Sequence, residues 1–347
     1  MVQTIDQPKV SIGIPTFNRA QTLPKTIEAM LSQTFSDFEL IICDDASTDE
    51  TAEIVARYRD HRIKYFRNSI NLGIYKNLNR CIELARGEYV AIYHDHDDYL
   101  STILEESVRV LEAYPNVGFV HTAICSKNSQ GEIMNTFVKN LPAIIPGREF
   151  AEKIAHRWDS LVCGAAAMVR RSLYKQVGYY DPQFGAGSDI DMWVRLALIA
   201  DVGYVAKPLA ILSIRQSGDM YAGFDWSCLC KHFRLLERNL QRVYGNAPRR
   251  LAWHQRKYAF SRDLKLMEMF CRDIVKSEVS NHHEGLTVMQ QEGSSWVQQA
   301  GKILSQYPNF FRNILSLALG VYRMGWKLRI KAEQLRAKHI LEQNMMK

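Results

Sequence analysis

The sequence predicts an α/β fold, a mostly parallel central sheet with helices on both faces, followed by a helical C-terminal region. Three observations predict it. Over roughly the first 100 residues, short apolar runs alternate with amphipathic stretches, the pattern of repeated strand–helix–strand units. The apolar runs end in Pro15–Arg19, Asp44–Asp45 and Asp95–Asp98, and open parallel sheets bind ligands at the carboxyl ends of their strands. Beyond about residue 224 the chain reads as helix with long polar stretches.

Each element has its own signal. VSIGIP (10–15) is a short apolar strand ending at a proline. TLPKTIEAMLSQTF (22–35) places Leu23, Ile27, Met30 and Leu31 at helical spacing, with Pro24 in a first turn, where its missing N–H costs nothing. FELIICDD (38–45) is the second strand, and STDETAEIVARYRD (47–60) a helix with a Ser/Thr cap and acids in its first turn. RIKYFRN (62–68) is the third strand. IYKNLNRCIELARG (74–87) is a helix closed by Gly87, and EYVAIYHDHDD (88–98) a fourth strand running into acids. Next come a helix at 101–114, strands at 117–125 and 162–171, a helix at 188–200 and two short strands within 202–215. The region after 224 is helical, with a polar loop near 280–295 that holds His282, His283 and Glu284.

Composition sets the bounds. With 347 residues, 47% hydrophobic and 23% charged, the chain suits one large domain, 1–223, and a smaller region, 224–347. This excludes a disordered tail, a collagen and a disulfide-dense scaffold. Apolar runs such as 161–169 are too short to span a bilayer, which takes about 20 residues, and the N-terminus lacks the pattern of a signal peptide. Seven scattered cysteines predict reduced thiols and a cytoplasmic protein. The net charge of +7 divides unevenly: residues 1–223 hold 23 Lys+Arg against 27 Asp+Glu, and residues 224–347 hold 21 against 10. Such asymmetry points to an anionic partner for the second part only.

Chemistry concentrates at the strand ends. In HDHDDY (94–99) clustered carboxylates repel unless a cation holds them. On a strand, Asp95 and Asp97 would point the same way and offer hard oxygen ligands to Mg²⁺ or Mn²⁺; the competing reading is an acidic surface turn. His94 and His96 each suit a structural role better than a ligand role. Asp44 and Asp45 suit either a base or ribose contact or a cap on the next helix.

These residues carry a family resemblance. VSIGIPTFNRAQTLPKTIEAMLSQTFSDFELIICDDASTDET (10–51), NLGIYKNLNRCIELARGEYVAIYHDHDD (71–98) and GSDIDMWVRLAL (187–198) resemble, in order, the motifs of family 2 glycosyltransferases. The resemblance covers about 8–216 and implies a GT-A type nucleotide-sugar-binding fold and an inverting mechanism. It implies that Pro15, Thr16, Phe17 and Arg19 cradle the nucleoside and that Asp45 reads the base. It further implies that Asp97 binds the metal, that Asp95 contacts ribose or metal, and that Asp98 contacts the sugar or braces the metal. By the same resemblance Asp189 matches the general base, with Asp191 its alternate. Leu78 stands where many members carry arginine, so Lys76 or Asn77 takes over that contact; Ser101 and Ser188 are further departures. The implied reaction uses one base, one divalent metal and no protein nucleophile. Its partners are a nucleoside-diphosphate sugar and a glycan or lipid-linked acceptor, in cell-surface polysaccharide synthesis, without nucleic acid.

Residues 309–340 place Phe311, Ile314, Leu315, Ala318 and Tyr322 at helical spacing, followed by Arg323, Trp326, Lys327, Arg329 and Lys331. Such a helix fits an anionic membrane surface on the inner face of the cell membrane, a homodimer interface or a core contact. A sugar-nucleotide pyrophosphorylase is disfavoured because IPTFNRA lacks a glycine-rich signature, and a non-catalytic scaffold because Asp45, Asp97 and Asp189 are intact.

Overall fold

A computed structural model describes residues 7–157, 160–213, 226–276 and 279–306. They fall into two compact units, one within Met1–Met220 and one within Tyr221–Arg336.

The first unit is a ten-stranded sheet: β1 (Val10–Thr16), β2 (Phe38–Asp44), β3 (Ile63–Arg67), β4 (Tyr89–Ile92), β5 (Asp98–Tyr99), β6 (Val117–Lys127), β7 (Ile133–Phe137), β8 (Ile144–Ile145), β9 (Ala167–Arg170) and β10 (Asp201–Ser213). Its order is β3-β2-β1-β4-β9-β6-β10-β5, with β7 on β6 and β8 on β10. The run β3-β2-β1-β4 is wholly parallel, and β6 and β10 pair in parallel with β9 antiparallel between β4 and β6. The helices are α1 (Leu23–Leu31), α2 (Thr51–Ala56), α3 (Ile74–Leu84), α4 (Ile103–Ala113), α5 (Gly147–Ile154), α6 (Arg171–Val177) and α7 (Ser188–Ala197). The core follows from the strand composition. Ile12, Ile14, Leu40, Ile42, Tyr89 and Ala91 are fully buried and pack with Leu23, Ile27 and Met30 of α1 and Ile103, Leu104 and Leu111 of α4.

Several expected boundaries move, each for a local reason. The fourth strand stops at Ile92, so Asp95 and Asp97 lie in a turn and not on a strand face. Gly87 does not close α3, which ends at Leu84; a Cβ there would lie 2.6 Å from the Ser11 backbone nitrogen, and Ser11 Oγ accepts from Gly87 N–H at 2.8 Å. The helix expected at 47–60 shrinks to α2, because 47–50 is held as a loop by the first strand's exit. The strand expected at 162–171 shrinks to β9, since Gly164–Ala166 forms a 3₁₀ turn before it. The two strands expected in 202–215 are one, β10, whose register against β6 shifts around Pro208; proline cannot donate to a ladder and is tolerated at such a bulge.

The second unit has α8 (Trp226–Tyr244), α9 (Pro248–Lys276), α10 (Val279–Glu292) and α11 (Ser295–Gln306). The loop expected near 280–295 is therefore mostly α10, so the backbone of His282, His283 and Glu284 is helical. Gly285 is no breaker: a Cβ there would lie 2.6 Å from the Trp226 ring, so glycine lets two helices approach. The basic, aromatic stretch 309–340 lies outside the described residues. No described helix is long and apolar enough to cross a membrane.

Candidate active site

The carboxyl ends of β1, β2 and β4 lie side by side because β1 is between the other two. Short bonds tie the first two exits together. Asp45 N–H donates to Thr16 C=O at 2.9 Å, Asn18 N–H to Ser47 Oγ at 2.9 Å, Thr48 N–H to Asn18 Oδ1 at 2.8 Å and Ala20 N–H to Asp49 Oδ2 at 3.0 Å. Asn18 (φ 51°) and Ala46 (φ 63°) adopt left-handed backbone there. A non-glycine residue in that region is strained, on the order of 1 kcal/mol, and persists where surrounding bonds over-determine it. Pro15 and Thr16 end β1; the buried Thr16 hydroxyl has no protein partner among the described residues, and Phe17 is exposed.

The paired acids after β2 divide their work. Asp44 is fully buried and accepts from Ser47 N–H at 2.8 Å and from Tyr65 O–H at 2.5 Å. Asp45, also buried, accepts from Leu72 N–H (2.8 Å), Gly73 N–H (2.9 Å) and Asn68 Nδ2 (2.9 Å), fixing the approach to α3 at the sheet edge. On α3 Lys76 is exposed, whereas Asn77 is buried and donates to Cys43 C=O at 2.8 Å, so Asn77 holds the fold.

In the turn after β4, Asp95 and Asp97 are both buried and each meets an imidazole: His96 Nδ1 is 2.9 Å from Asp95 Oδ1, and His94 Nδ1 is 3.1 Å from Asp97 Oδ2. An ionised carboxylate only accepts, which puts the ring proton on Nδ1 in both pairs. The two rings stack with centroids 5.5 Å apart. Ser213, at the end of β10, donates its N–H to Asp97 Oδ1 (2.9 Å) and its hydroxyl to His96 C=O (2.7 Å). Arg19 Nε, from the β1 exit, lies 3.8 Å from Asp95 Oδ1. Ligand atoms of His94, His96 and Asp97 lie within 4.8 Å of one another, close enough to share one cation; carboxylate oxygen suits Mg²⁺ or Mn²⁺, and imidazole suits a transition metal. Asp98 is set apart: Lys25 Nζ is 2.7 Å from one oxygen and Lys127 Nζ 2.5 Å from the other. Burial opposes its ionisation, but the two lysines hold its carboxyl below the usual range.

Asp189 comes from the other end of the unit, in the first turn of α7. Its Oδ1 accepts from Ile190 N–H at 2.7 Å. Loss of water contact pushes its carboxyl up to about 6, against the backbone N–H groups and nearby His94, which favour ionisation. Cys163 senses Asp97 and Asp189 together: burial, then Asp97, then Asp189 push its thiol up to about 12. Asp189 and the turn after β4 therefore lie within electrostatic reach of one another. Asp191 is buried and its Oδ2 accepts from Arg195 Nε at 2.8 Å.

The structure pairs each of the two histidines with a carboxylate, a pairing that the sequence does not spell out, and it adds contacts of Ser213 and Asn79. The H-x-H spacing around Asp95 was the available signal for the first pair. Asn79 accepts from Tyr180 N–H (3.0 Å) and donates to Tyr180 C=O (2.8 Å) across 101 residues, a contact no local pattern encodes.

Residues 11–178 match the family model described as Glycosyl transferase family 2. The putative glycosyltransferase EpsE of Bacillus subtilis is 30% identical over 222 residues, 62% of this chain and 75% of that protein. The chain belongs to glycosyl transferase family 2. Another family relative in the comparison, the GalNAc(5)-diNAcBac-PP-undecaprenol beta-1,3-glucosyltransferase of Campylobacter jejuni, is 36% identical over 134 residues, 38% of this chain and 42% of that one. Among solved structures, Staphylococcus aureus TarS 1-349 in complex with UDP-GlcNAc superposes with a TM-score of 0.55 at 20% identity, covering 67% of this chain and 66% of that one. The mannosyltransferase PcManGT of Pyrobaculum calidifontis, in complex with GDP-Man and Mn²⁺, gives 0.50 at 17% identity, covering 89% and 84%. The fold is thus the GT-A fold of this family, as the motifs implied.

Proposed function

We propose that the protein is an inverting, metal-dependent glycosyltransferase that moves a sugar from a nucleoside diphosphate to a hydroxyl of a lipid-linked or other glycan acceptor in surface-polysaccharide synthesis. The observation that carries this reading is the convergence of Asp189 with the His94–Asp97 turn: a carboxyl held near pH 6 beside a set of donor atoms fit for a cation. A divalent ion bound there would supply charge to stabilise the diphosphate as it leaves. Asp97 would hold it with His94 and His96, and Asp95 would assist through its hydrogen bond to His96; Ser213 and Arg19 keep the two carboxylates oriented.

In the reaction the acceptor oxygen attacks the anomeric carbon and the bond from that carbon to the diphosphate oxygen breaks. The electron pair leaves with the nucleoside diphosphate, and the acceptor proton passes to Asp189. Attack opposite the leaving group inverts the anomeric centre. A base whose pKa lies just below the working pH is ionised yet still accepts a proton readily. The Pro15–Arg19 loop and Asp45 are suited to the nucleoside, with the unpartnered Thr16 hydroxyl and exposed Phe17 beside it. The relative named for an undecaprenol-linked substrate supports a lipid-linked acceptor.

The test is release of free nucleoside diphosphate from a panel of sugar nucleotides, with lipid-linked acceptor, with and without Mn²⁺ or Mg²⁺. One sugar nucleotide should be consumed only with metal, and Asp97→Ala should abolish metal-dependent donor binding in a folded protein. Transfer by Asp97→Ala at the parent's rate and metal dependence would remove the assignment.

A further inference from the structure

Helix α9 is apolar on two opposite sides. One side buries Tyr258, Leu266, Met269 and Phe270 within the second unit, and Tyr258 O–H donates to Phe233 C=O at 3.1 Å. The other side presents Trp253 (58% exposed), Phe260 (61%) and Leu264 (50%) to solvent. Steps of seven and four residues keep these side chains within an arc of about 40°, along about 16 Å of helix. Arg249, Arg250, Arg256 and Lys257 flank the stripe and are all exposed, and Lys257 Nζ lies 5.3 Å from the centre of the Trp253 ring. No Asp or Glu occurs from Pro248 to Arg262.

Two arguments name the occupant. Arg249 and Arg250 occupy the first turn, where the helix dipole disfavours cations, and the Arg250 guanidinium lies 5.1 Å from the centre of the Tyr244 ring. A second copy of the same stripe would set four cations against four, which opposes self-association through this face. An apolar centre with aromatic residues and cationic flanks is instead complementary to the interface of an anionic bilayer, where rings enter the headgroup boundary and cations meet lipid phosphates. We propose that this face of α9 docks the protein on an anionic lipid surface through Trp253, Phe260 and Leu264, with Arg249, Arg250, Arg256 and Lys257 contacting the phosphates. The inference rests on the second unit alone and stands apart from the catalytic reading.

The test is flotation of the full-length protein with phosphatidylglycerol-containing vesicles and with pure phosphatidylcholine vesicles. Binding should favour the anionic vesicles and weaken as salt rises toward about 0.5 M, where the Debye length falls to a few ångströms. Trp253→Ala and Phe260→Ala should each lower the partition coefficient roughly tenfold, and together about a hundredfold, since each loses over about 1.4 kcal/mol of apolar burial. Both side chains are exposed, so thermal unfolding should stay unchanged. Replacing the four cations with Gln should remove the preference for anionic lipid. Brominated lipid should quench the parent's fluorescence, and Trp253→Phe should lose that quenching. Failure of the parent to bind, binding unchanged in both variants, or a stable dimer that Trp253→Ala dissociates would each overturn the proposal.

Discussion

An ionised carboxylate at position 189 costs folding free energy, because the folded protein withdraws it from water. Its folded pKa of about 6 lies above the ordinary 3.8. Between those values the folded state binds more protons than the unfolded one, so stability falls as pH rises; the penalty is absent below 3.8 and complete above about 6. Asp189→Asn should therefore raise the thermal midpoint at pH 7.5, by a free energy on the order of 1–3 kcal/mol, and the gain should shrink as pH approaches 4. The same variant should lose about 10²–10⁴-fold in turnover, and the parent's turnover should fall below about pH 6 as the base protonates. Asp191, two positions on, predicts the opposite pair of effects. It is the buried partner of Arg195, and removing one member of such a pair costs about 3–5 kcal/mol. Asp191→Ala should lose stability while folded molecules keep more activity than Asp189→Asn. Calorimetry and initial rates across pH check both variants, and the reverse ranking would move the base to Asp191.

At the scale of elements, the proposed base, Asp189, depends on how α7 is carried. Arg195 donates to the carbonyls of Val177, Gly178 and Tyr179, and Asn79 of α3 takes both backbone groups of Tyr180. The segment leading to Asp189 is thereby fastened to the helix that follows the Asp45 loop. Asn79→Ala should lower stability by about 1–3 kcal/mol through the two lost bonds. It should also lower kcat roughly tenfold with little change in the KM for the sugar nucleotide, because orientation of the base is lost while the sugar-donor site stays intact. Asn79→Asp, which still accepts from Tyr180 N–H, should fall between parent and alanine variant. An unchanged kcat with lost stability would reduce the clamp to a structural bond. The turn after β4 teaches a related lesson. His96 lies between Asp95 and Asp97, and Ser213 holds Asp97; strand alternation plays no part.

For the whole molecule, the two compact units carry different chemistry: acids and the GT-A sheet in one, a basic helical surface in the other. A nucleoside diphosphate with Mn²⁺ should bind the first alone. Calorimetry should then show two transitions, with only one shifted by the ligands, at about 2.7 kcal/mol when ligand stands at 100 times its Kd. A uniform shift of both would show that the site is not confined to the sheet unit, and a shift of neither would remove the donor site itself.

Much of the first unit was legible because its signals are local. Alternating apolar runs specify β1 to β4 and their helices, strand ends mark the candidate site, and three spaced motifs specify the family. What escaped were boundaries and partners decided by packing. Gly87 and Gly285 look like breakers but mark close approaches to Ser11 and Trp226. Asp95, Asp97 and Asp98 look alike in sequence, yet two meet histidines and the third meets lysines. By itself the sequence determined the strand order of hydrophobicity, the acids at the strand ends and the basic second half. Only the tertiary structure decided which carboxylates are buried, which are tied off by cations, and that Asp189 lies within electrostatic reach of the β4 turn. Those outcomes depend on desolvation and on contacts between residues far apart in the chain, which no local pattern records.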